Sequence, residues 1–298
     1  MIVGICLSVL ASILFSLQYV FTAFLHPING VEIFSWRMII ACPILAILIY
    51  LNRNFELFNE IIHRLRRNKL LIVGVILSSS LIGIQQWLFL WGPINGRGLQ
   101  VSIGYFLLPL VMVLVGRVLY KEKLTILQKI STAFAFVGVA HELWVAHAFS
   151  WEALVVAFGF PCYFVLRRAL KTDNTGGFLM DMVLMMPVCL YIAYDSTSVV
   201  HSNQLELKLL SLSAISALAF YCYIVASKLL PLGLFGLLGN VEPVLLLLVS
   251  LFLGEKIENH QLLTFIPIWL SVFTLSIEGT RSLFKHKFIA RTIKELKL

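Results

Sequence analysis

Long apolar runs recur at short intervals along most of the chain. Ten of them approach the ~20 residues that an α-helix needs to cross about 30 Å of hydrocarbon. The polar connections between most of them are so short that successive helices must be antiparallel neighbours. The pattern therefore predicts an all-α integral membrane protein with ten transmembrane helices. These cover residues 2–25, 32–51, 70–91, 98–119, 125–145, 151–170, 176–194, 207–229, 232–253 and 259–279.

The composition agrees with a membrane protein. Hydrophobic residues make up 60% of the chain and charged residues 13%, with a mean hydropathy of +0.94. A soluble domain carries about 25% charged residues. A transmembrane β-barrel would alternate apolar and polar residues over segments of about ten, and runs such as VLLLLVSLFL do not alternate. The first apolar run is too long for the core of a signal peptide and is expected to be the first membrane helix.

Basic residues are distributed unequally between the two sides of the predicted bundle. If the amino terminus is cytoplasmic, the inner connections and the tail hold seventeen of the 23 Lys and Arg residues, including Arg167 and Arg168. The outer connections hold only Arg97, Lys208 and Lys256. This bias follows the positive-inside rule, which predicts a bacterial inner-membrane protein with both termini in the cytoplasm. The net charge of +8 then needs no nucleic-acid partner.

The carboxyl-terminal segment, residues 280–298, mixes basic and aromatic residues. It resembles an amphipathic segment that lies on the anionic cytoplasmic leaflet. A solvated, mobile end is the alternative interpretation.

A weak internal repeat divides the chain into two five-helix halves, residues 1–145 and 151–279. Each matched pair occupies the same position in its half, and the pairs are Tyr19 with Tyr163, Pro43 with Pro187, Tyr50 with Tyr194, and Pro109 with Pro243. Because five is odd, the second half must enter the membrane in the opposite sense. Inverted repeats of this kind are typical of secondary transporters.

The fourth and ninth predicted helices carry small residues and proline at equivalent positions. The fourth contains Tyr105 and Pro109 on one stripe, and its counterpart stripe on the ninth is Gly236, Gly239, Asn240 and Pro243. Small residues allow close helix packing, and a proline within a helix bends it. The two helices are therefore candidates for a moving core. The general abundance of Gly and Pro in membrane helices is the alternative explanation.

Glu242 is the strongest single functional candidate. It lies about ten residues into the ninth predicted helix, roughly 15 Å from its start and close to the middle of the bilayer. An ionised carboxylate there is costly, so it is expected to be protonated, paired or facing water. It could bind a cationic part of a solute or exchange a proton. A carboxyl held by neighbouring polar groups, without a role in transport, is the alternative.

Other polar residues within the apolar runs are candidates for a solute pathway. Gln85, Gln86 and Trp87 follow one another in the third predicted helix, and Tyr19 and Tyr163 are matched by the repeat. These amide and aromatic groups could line a cavity.

Two charged residues, Arg37 and Asp181, also occupy equivalent repeat positions, inside opposite faces of the membrane. They are candidates for gate charges. For Arg37, a side chain that snorkels to the interface is an equal alternative.

The sequence gives little support for a metal site, a cofactor-binding site or a catalytic site. The five cysteines fall inside predicted helices without a CxxC spacing. In HELWVAH, His141 and His147 are six residues apart, whereas a zinc protease needs two His on one helical face at i and i+4. No nucleotide-binding P-loop and no pairing of nucleophile and base is present. The sequence is therefore compatible with gradient-driven or facilitated transport that uses no cofactor. Protons are a candidate coupling ion.

The segment 85–128 resembles the RarD branch of the EamA-type drug/metabolite transporter superfamily. The similarity is most specific in WLFLW, GYFLLPLV and KEKL. It implies ten helices in two inverted five-helix repeats, a central cavity, and export of amino acids, metabolites or drugs. Two residues depart from the family pattern: Leu108 stands where Asn is usual, and Glu242 where a small residue is usual.

The sequence thus predicts a secondary transporter that moves a small organic solute by alternating access. Export is favoured over import by the family resemblance only. A solute-binding membrane receptor, a membrane-embedded enzyme and a channel are the alternatives.

Overall fold

The structure is a computed structural model. It describes residues 1–23, 25, 28–94, 97–146, 151–195 and 203–239, with isolated positions between 241 and 277. All regular structure in this part of the chain is helical. The helices are α1 (Ile2–Ala23), α2 (Gly30–Leu51), α3 (Phe55–Arg67), α4 (Lys69–Ile94), α5 (Gly98–Leu119), α6 (Ile126–Ala146), α7 (Trp151–Leu170), α8 (Thr175–Asp195), α9 (Asn203–Leu229) and α10 (Leu232–Leu238).

The predicted membrane helices agree closely with this order. The first eight correspond to α1, α2 and α4–α9, and α10 begins the ninth. In the described residues, α2, α4, α7, α8 and α9 are long and apolar enough to cross a membrane, and α1 and α6 contribute shorter apolar segments. The protein is thus an all-α, multi-pass membrane protein. The tenth predicted helix, most of the ninth and the tail at 280–298 lie outside the described residues, so the ten-helix arrangement remains a prediction.

Helix α3 is the main correction to the sequence analysis, which treated residues 52–69 as a loop. The helix carries apolar residues at helical spacing, Phe58, Ile61 and Leu65 among them, and these pack against α4 and α8. Its first turn contains Glu56, whereas three arginines occupy its last turn, an arrangement that complements the helix dipole. Its average hydropathy is too low for a membrane helix, because half of its surface is polar.

The helices pack around one apolar core in which sequence-distant elements are neighbours. Helix α1 packs against α9, α5 against α7 and α10, α2 against α8 and α9, α4 against α7 and α8, and α10 also touches α1. Met38, Leu45, Phe178 and Phe220 are buried in this core. Many large apolar residues on the outer surface are exposed, as expected where lipid replaces water.

Gly104 lies where α5 packs closely against α7. A Cβ atom at this position would be 2.6 Å from Val156 Cβ and 2.7 Å from the backbone oxygen of Ala153. Backbone cannot move aside easily, so we expect Gly104→Ala to reduce the free energy of unfolding by about 1–3 kcal/mol.

The matched control is Gly74→Ala, because the nearest atom to its Cβ is the end of the flexible Leu170 side chain, at 2.8 Å. Unfolding of both variants in mixed detergent micelles measures the difference. Equal losses in the two variants would contradict the close packing of α5 on α7.

Candidate functional site

A cavity lies inside the bundle between α1, α4, α5, α7, α8, α9 and the residues after α10. Its volume is about 40 Å³, which suits a few water molecules. A larger solute could enter only if the helices moved apart.

The cavity wall is mainly aromatic and aliphatic, with a small set of polar residues. Three of these were predicted for the solute pathway: Gln86 on α4, Tyr105 on α5, and Glu242 after α10. Two were not: Gln18 on α1 and Tyr223 on α9. The signal for Tyr223 was a tyrosine in the middle of a long apolar helix. An apolar wall with a few polar groups is the usual character of a small-molecule site.

Neighbouring contacts hold the polar lining residues in position. Ser216 Oγ donates a hydrogen bond to Gln18 Oε1 at 2.6 Å, which joins α9 to α1. The Tyr105 ring packs against Phe89 and Phe160, with centroids 5.8 and 6.1 Å away. Glu242 lies close enough to Tyr105 and Tyr223 for electrostatic interaction. The carboxylate therefore faces a cluster of hydroxyl and aromatic groups.

A turn residue, Gly239, follows α10. Helix α10 ends at Leu238, and the Gly239 backbone N–H donates to the backbone oxygens of Phe235 and Gly236. The Glu242 N–H then donates to the Gly239 oxygen at 3.3 Å. Gly239 lines the cavity and Gly236 is buried beside it.

Arg37 is fully buried directly behind the cavity wall. Its Nη2 donates to Gln86 Oε1 at 3.1 Å, and its guanidinium lies 5.8 Å from the centroid of the Phe220 ring, which also lines the cavity. Within the described residues, its Nε and Nη1 have no hydrogen-bond partner. The side chain points inward, so the snorkelling alternative does not fit.

Asp181 lies in a separate buried network that joins α4, α7 and α8. Its Oδ1 accepts a hydrogen bond from Ser78 Oγ at 2.6 Å, and its Oδ2 accepts one from Tyr163 Oη at 2.9 Å. Arg167 Nη1 lies 3.5 Å from Oδ2. Tyr163, which was predicted for the solute pathway, is thus a hydrogen-bond donor to this carboxylate. It is absent from the described cavity lining.

Arg167 corrects the sequence analysis, which counted it among the charges of the inner connections. It lies in the last turn of α7, with a fully buried side chain. The guanidinium hydrogen-bonds Tyr163 Oη and the backbone oxygens of Thr172 and Asn174. The signal in the sequence was its position one helical turn after Tyr163, on the same face.

Gln85 and Trp87 are absent from the described cavity lining. Gln85 Nε2 donates to the Val155 oxygen at 2.9 Å and packs against Gly159, so it joins α4 to α7. The Trp87 ring packs against Trp91 with centroids 5.2 Å apart. Both residues make packing contacts at this end of the bundle, and their place in the solute pathway stays a prediction.

Four of the residues predicted for the site have side chains outside the described part of the chain. Asn240 and Pro243 lie outside the described residues. Tyr19 belongs to α1 and Pro109 to α5, but the side chains at these two positions lie outside the described part of the chain.

Known proteins resemble this chain over nearly its whole length. The EamA-like transporter family matches residues 2–141. An uncharacterized transporter of Pasteurella multocida is 40% identical over 94% of this chain and 97% of its own. The chloramphenicol-sensitive protein RarD of Pseudomonas aeruginosa is 41% identical over 95% of this chain and 96% of its own. A solved crystal structure shares the fold, with a TM-score of 0.66 at 17% identity over 93% of this chain and 98% of the other.

Proposed function

Because the chain belongs to the EamA-like transporter family, within its RarD-like branch, we propose that it moves a small organic solute by alternating access. The protein is a multi-pass membrane transporter. The observation that carries the proposal is the cavity, which residues from both halves of the chain line around Glu242. Helices α1, α4 and α5 come from the first half, and α7, α8 and α9 from the second.

The size of the cavity supports a mechanism in which the halves move. The cavity volume is about 40 Å³, which is too little for an amino acid or a drug. Solute binding therefore needs helices to separate on one side. Gly239 is a turn residue that lines the cavity, and glycine is the residue with the most backbone freedom, so it is a proposed point at which the segment carrying Glu242 bends.

The helix contacts also support an inverted repeat. The repeat pairs α1 with α7, α2 with α8, α4 with α9, and α5 with α10. Under this exchange the α1–α9 contact becomes α7–α4, α2–α9 becomes α8–α4, and α5–α7 becomes α10–α1, and all of these contacts occur. The α2–α8 and α5–α10 contacts map onto themselves. Two halves related in this way can exchange conformations, which is the basis of alternating access.

The two buried arginines are proposed gate elements on opposite sides of the cavity. Arg37 lies in the second turn of α2 and is held by Gln86. The Arg167–Asp181 pair lies where α7 ends and α8 begins. If the amino terminus is cytoplasmic, Arg37 belongs to the outer half of the membrane and the Asp181 network to the inner half. Separation of either contact would open the corresponding side.

The solute is proposed to be an amino acid, a metabolite or a drug, with export as the direction. Both proposals rest on the family, and the printed name of the Pseudomonas aeruginosa relative refers to chloramphenicol. The bacterial relatives and the charge distribution favour the inner membrane, with both termini cytoplasmic. Glu242 would recognise a cationic group or exchange a proton.

Flux in proteoliposomes tests the proposed function. The purified protein is reconstituted, and pooled amino acids, metabolites and cationic drugs are added with and without a pH gradient. Transport predicts time-dependent movement of at least one pool that protein-free vesicles lack. Binding without movement would overturn transport in favour of a receptor, and chemical conversion of a solute in detergent would favour an enzyme. Single-channel currents would favour a channel.

A further inference from the structure

Helix α3 presents one apolar and one polar side. Phe58, Ile61 and Leu65 pack in a small cluster with Leu71 of α4 and Met180 of α8. The helix has 13 residues and is about 20 Å long, so it cannot span the hydrocarbon and instead packs against α4 and α8 near their ends. Its polar side remains exposed.

Exposed cations gather at the carboxyl end of α3. Arg66 and Arg67 occupy its last turn and Lys69 begins α4, and all three side chains are exposed. Within the described residues, none of the three forms an ion pair. The carboxylates of α3, Glu56 and Glu60, lie in its first half. The carboxyl end therefore carries a concentrated positive charge.

An exposed apolar stripe of α4 starts directly beside these cations. Leu70 is 81% exposed and Val73 65%, and Ile76 and Leu77 continue the stripe along the helix. Charged groups and hydrocarbon-facing groups therefore lie within one helical turn of each other on this surface.

We propose that this surface, formed by Arg66, Arg67, Lys69, Leu70, Val73 and Leu77, binds one anionic phospholipid of the cytoplasmic leaflet. Guanidinium groups bind phosphate oxygens through two parallel hydrogen bonds, which gives the headgroup a defined place. The acyl chains lie along the stripe of α4. The proposal uses the orientation given under the proposed function, in which α3 is on the cytoplasmic side.

Helix α3 is also joined by hydrogen bonds to the segment between α7 and α8. Arg64, on the same helix, donates hydrogen bonds to the backbone oxygens of Leu170 at 2.7 Å and Lys171 at 2.9 Å. The next residues, Thr172 and Asn174, supply the oxygens that hold Arg167. A lipid that fixes α3 therefore stabilises the turn between α7 and α8, beside Asp181.

The test compares phosphatidylglycerol with phosphatidylcholine as probes. Lipid retained by the full-length protein is measured by native mass spectrometry in detergent, for the wild type, Arg66→Gln/Arg67→Gln, and the control Lys121→Gln/Lys123→Gln. The control removes two exposed cations from the α5–α6 connection. We expect the wild type and the control to retain phosphatidylglycerol preferentially, and the arginine variant to bind it about 30-fold more weakly.

Unchanged phosphatidylglycerol retention in the arginine variant would overturn the proposal. An equal loss in the lysine control would also overturn it, because surface charge alone would then account for the binding. Displacement by glycerol phosphate at similar concentration would contradict a lipid site and indicate a free-phosphate site. Because retention is measured without flux, its outcome is separate from that of the transport assay.

Discussion

Glu242→Gln is expected to reduce solute flux in proteoliposomes by about 10- to 100-fold. The substitution keeps the shape of the side chain but removes its negative charge and its exchangeable carboxyl proton. Loss of one hydrogen bond to a charged group corresponds to a change of this size. Glu242 is the carboxylate in the described cavity lining, where Tyr105 and Tyr223 are its polar neighbours. No other described lining residue can take over its charge.

The same experiment distinguishes the two proposed roles of Glu242. If the carboxylate recognises a cationic group, the variant loses solute binding together with flux. If it exchanges a proton, the variant keeps binding but its flux no longer responds to the pH gradient. The matched control is Glu152→Gln, which alters a buried carboxyl paired with Arg97 at 3.6 Å, outside the described cavity lining. Unchanged flux in Glu242→Gln would remove this residue from the mechanism.

Arg167→Met is expected to lower the free energy of unfolding by about 3–5 kcal/mol. The substitution would leave Asp181 buried without its cation, and an uncompensated buried charge is strongly destabilising. It would also leave the backbone oxygens of Thr172 and Asn174 without the donors that the guanidinium supplies. Denaturant unfolding in mixed micelles measures the loss.

The double variant Arg167→Met/Asp181→Leu provides the control. Replacing both members of a buried ion pair by apolar residues is often close to neutral. The double variant is therefore expected to recover the part of the stability lost through the unpaired Asp181, while the backbone oxygens of Thr172 and Asn174 still lack their donors. A loss equal to that of the single variant would contradict the pairing. Flux in the folded double variant then separates two roles, since a gate charge predicts lost transport and a purely structural pair predicts normal transport.

The sequence was informative wherever the bilayer constrains the chain. A membrane helix must be apolar over a fixed length, so α1, α2 and α4–α9 could be predicted to within a few residues. Helix α3 could not be found in this way, because a search for apolar length overlooks a short amphipathic helix. Its signal was the helical spacing of Phe58, Ile61 and Leu65, with acidic residues before basic ones.

The candidate site was predictable only in part. Gln86, Tyr105, Gly239 and Glu242 line the cavity, and all four stood out as polar or small residues in apolar helices. Gln85 stood out equally, but consecutive helical residues point about 100° apart, so it faces α7.

The buried ion pair could be recognised only once the fold was known. Arg167 and Asp181 lie on different helices across a turn, and a basic residue near a helix end is usually solvated. The spacing of one helical turn between Tyr163 and Arg167 places the two side chains on one face of α7, but it does not show that this face is buried. Only the packing of α4, α7 and α8 encloses both side chains with Ser78 and Tyr163.

Thiol labelling tests most directly whether the cavity is the solute pathway. A single cysteine is introduced as Ile82→Cys in the cavity wall, in a transport-competent protein whose five native cysteines are replaced. A membrane-impermeant thiol reagent is then applied to sealed vesicles from either side, with Lys123→Cys in the exposed α5–α6 connection as control. Alternating access predicts that Cys at position 82 is labelled from both sides and protected by transported solute, while the control is not protected. Labelling from one side only, unaffected by solute, would contradict the account.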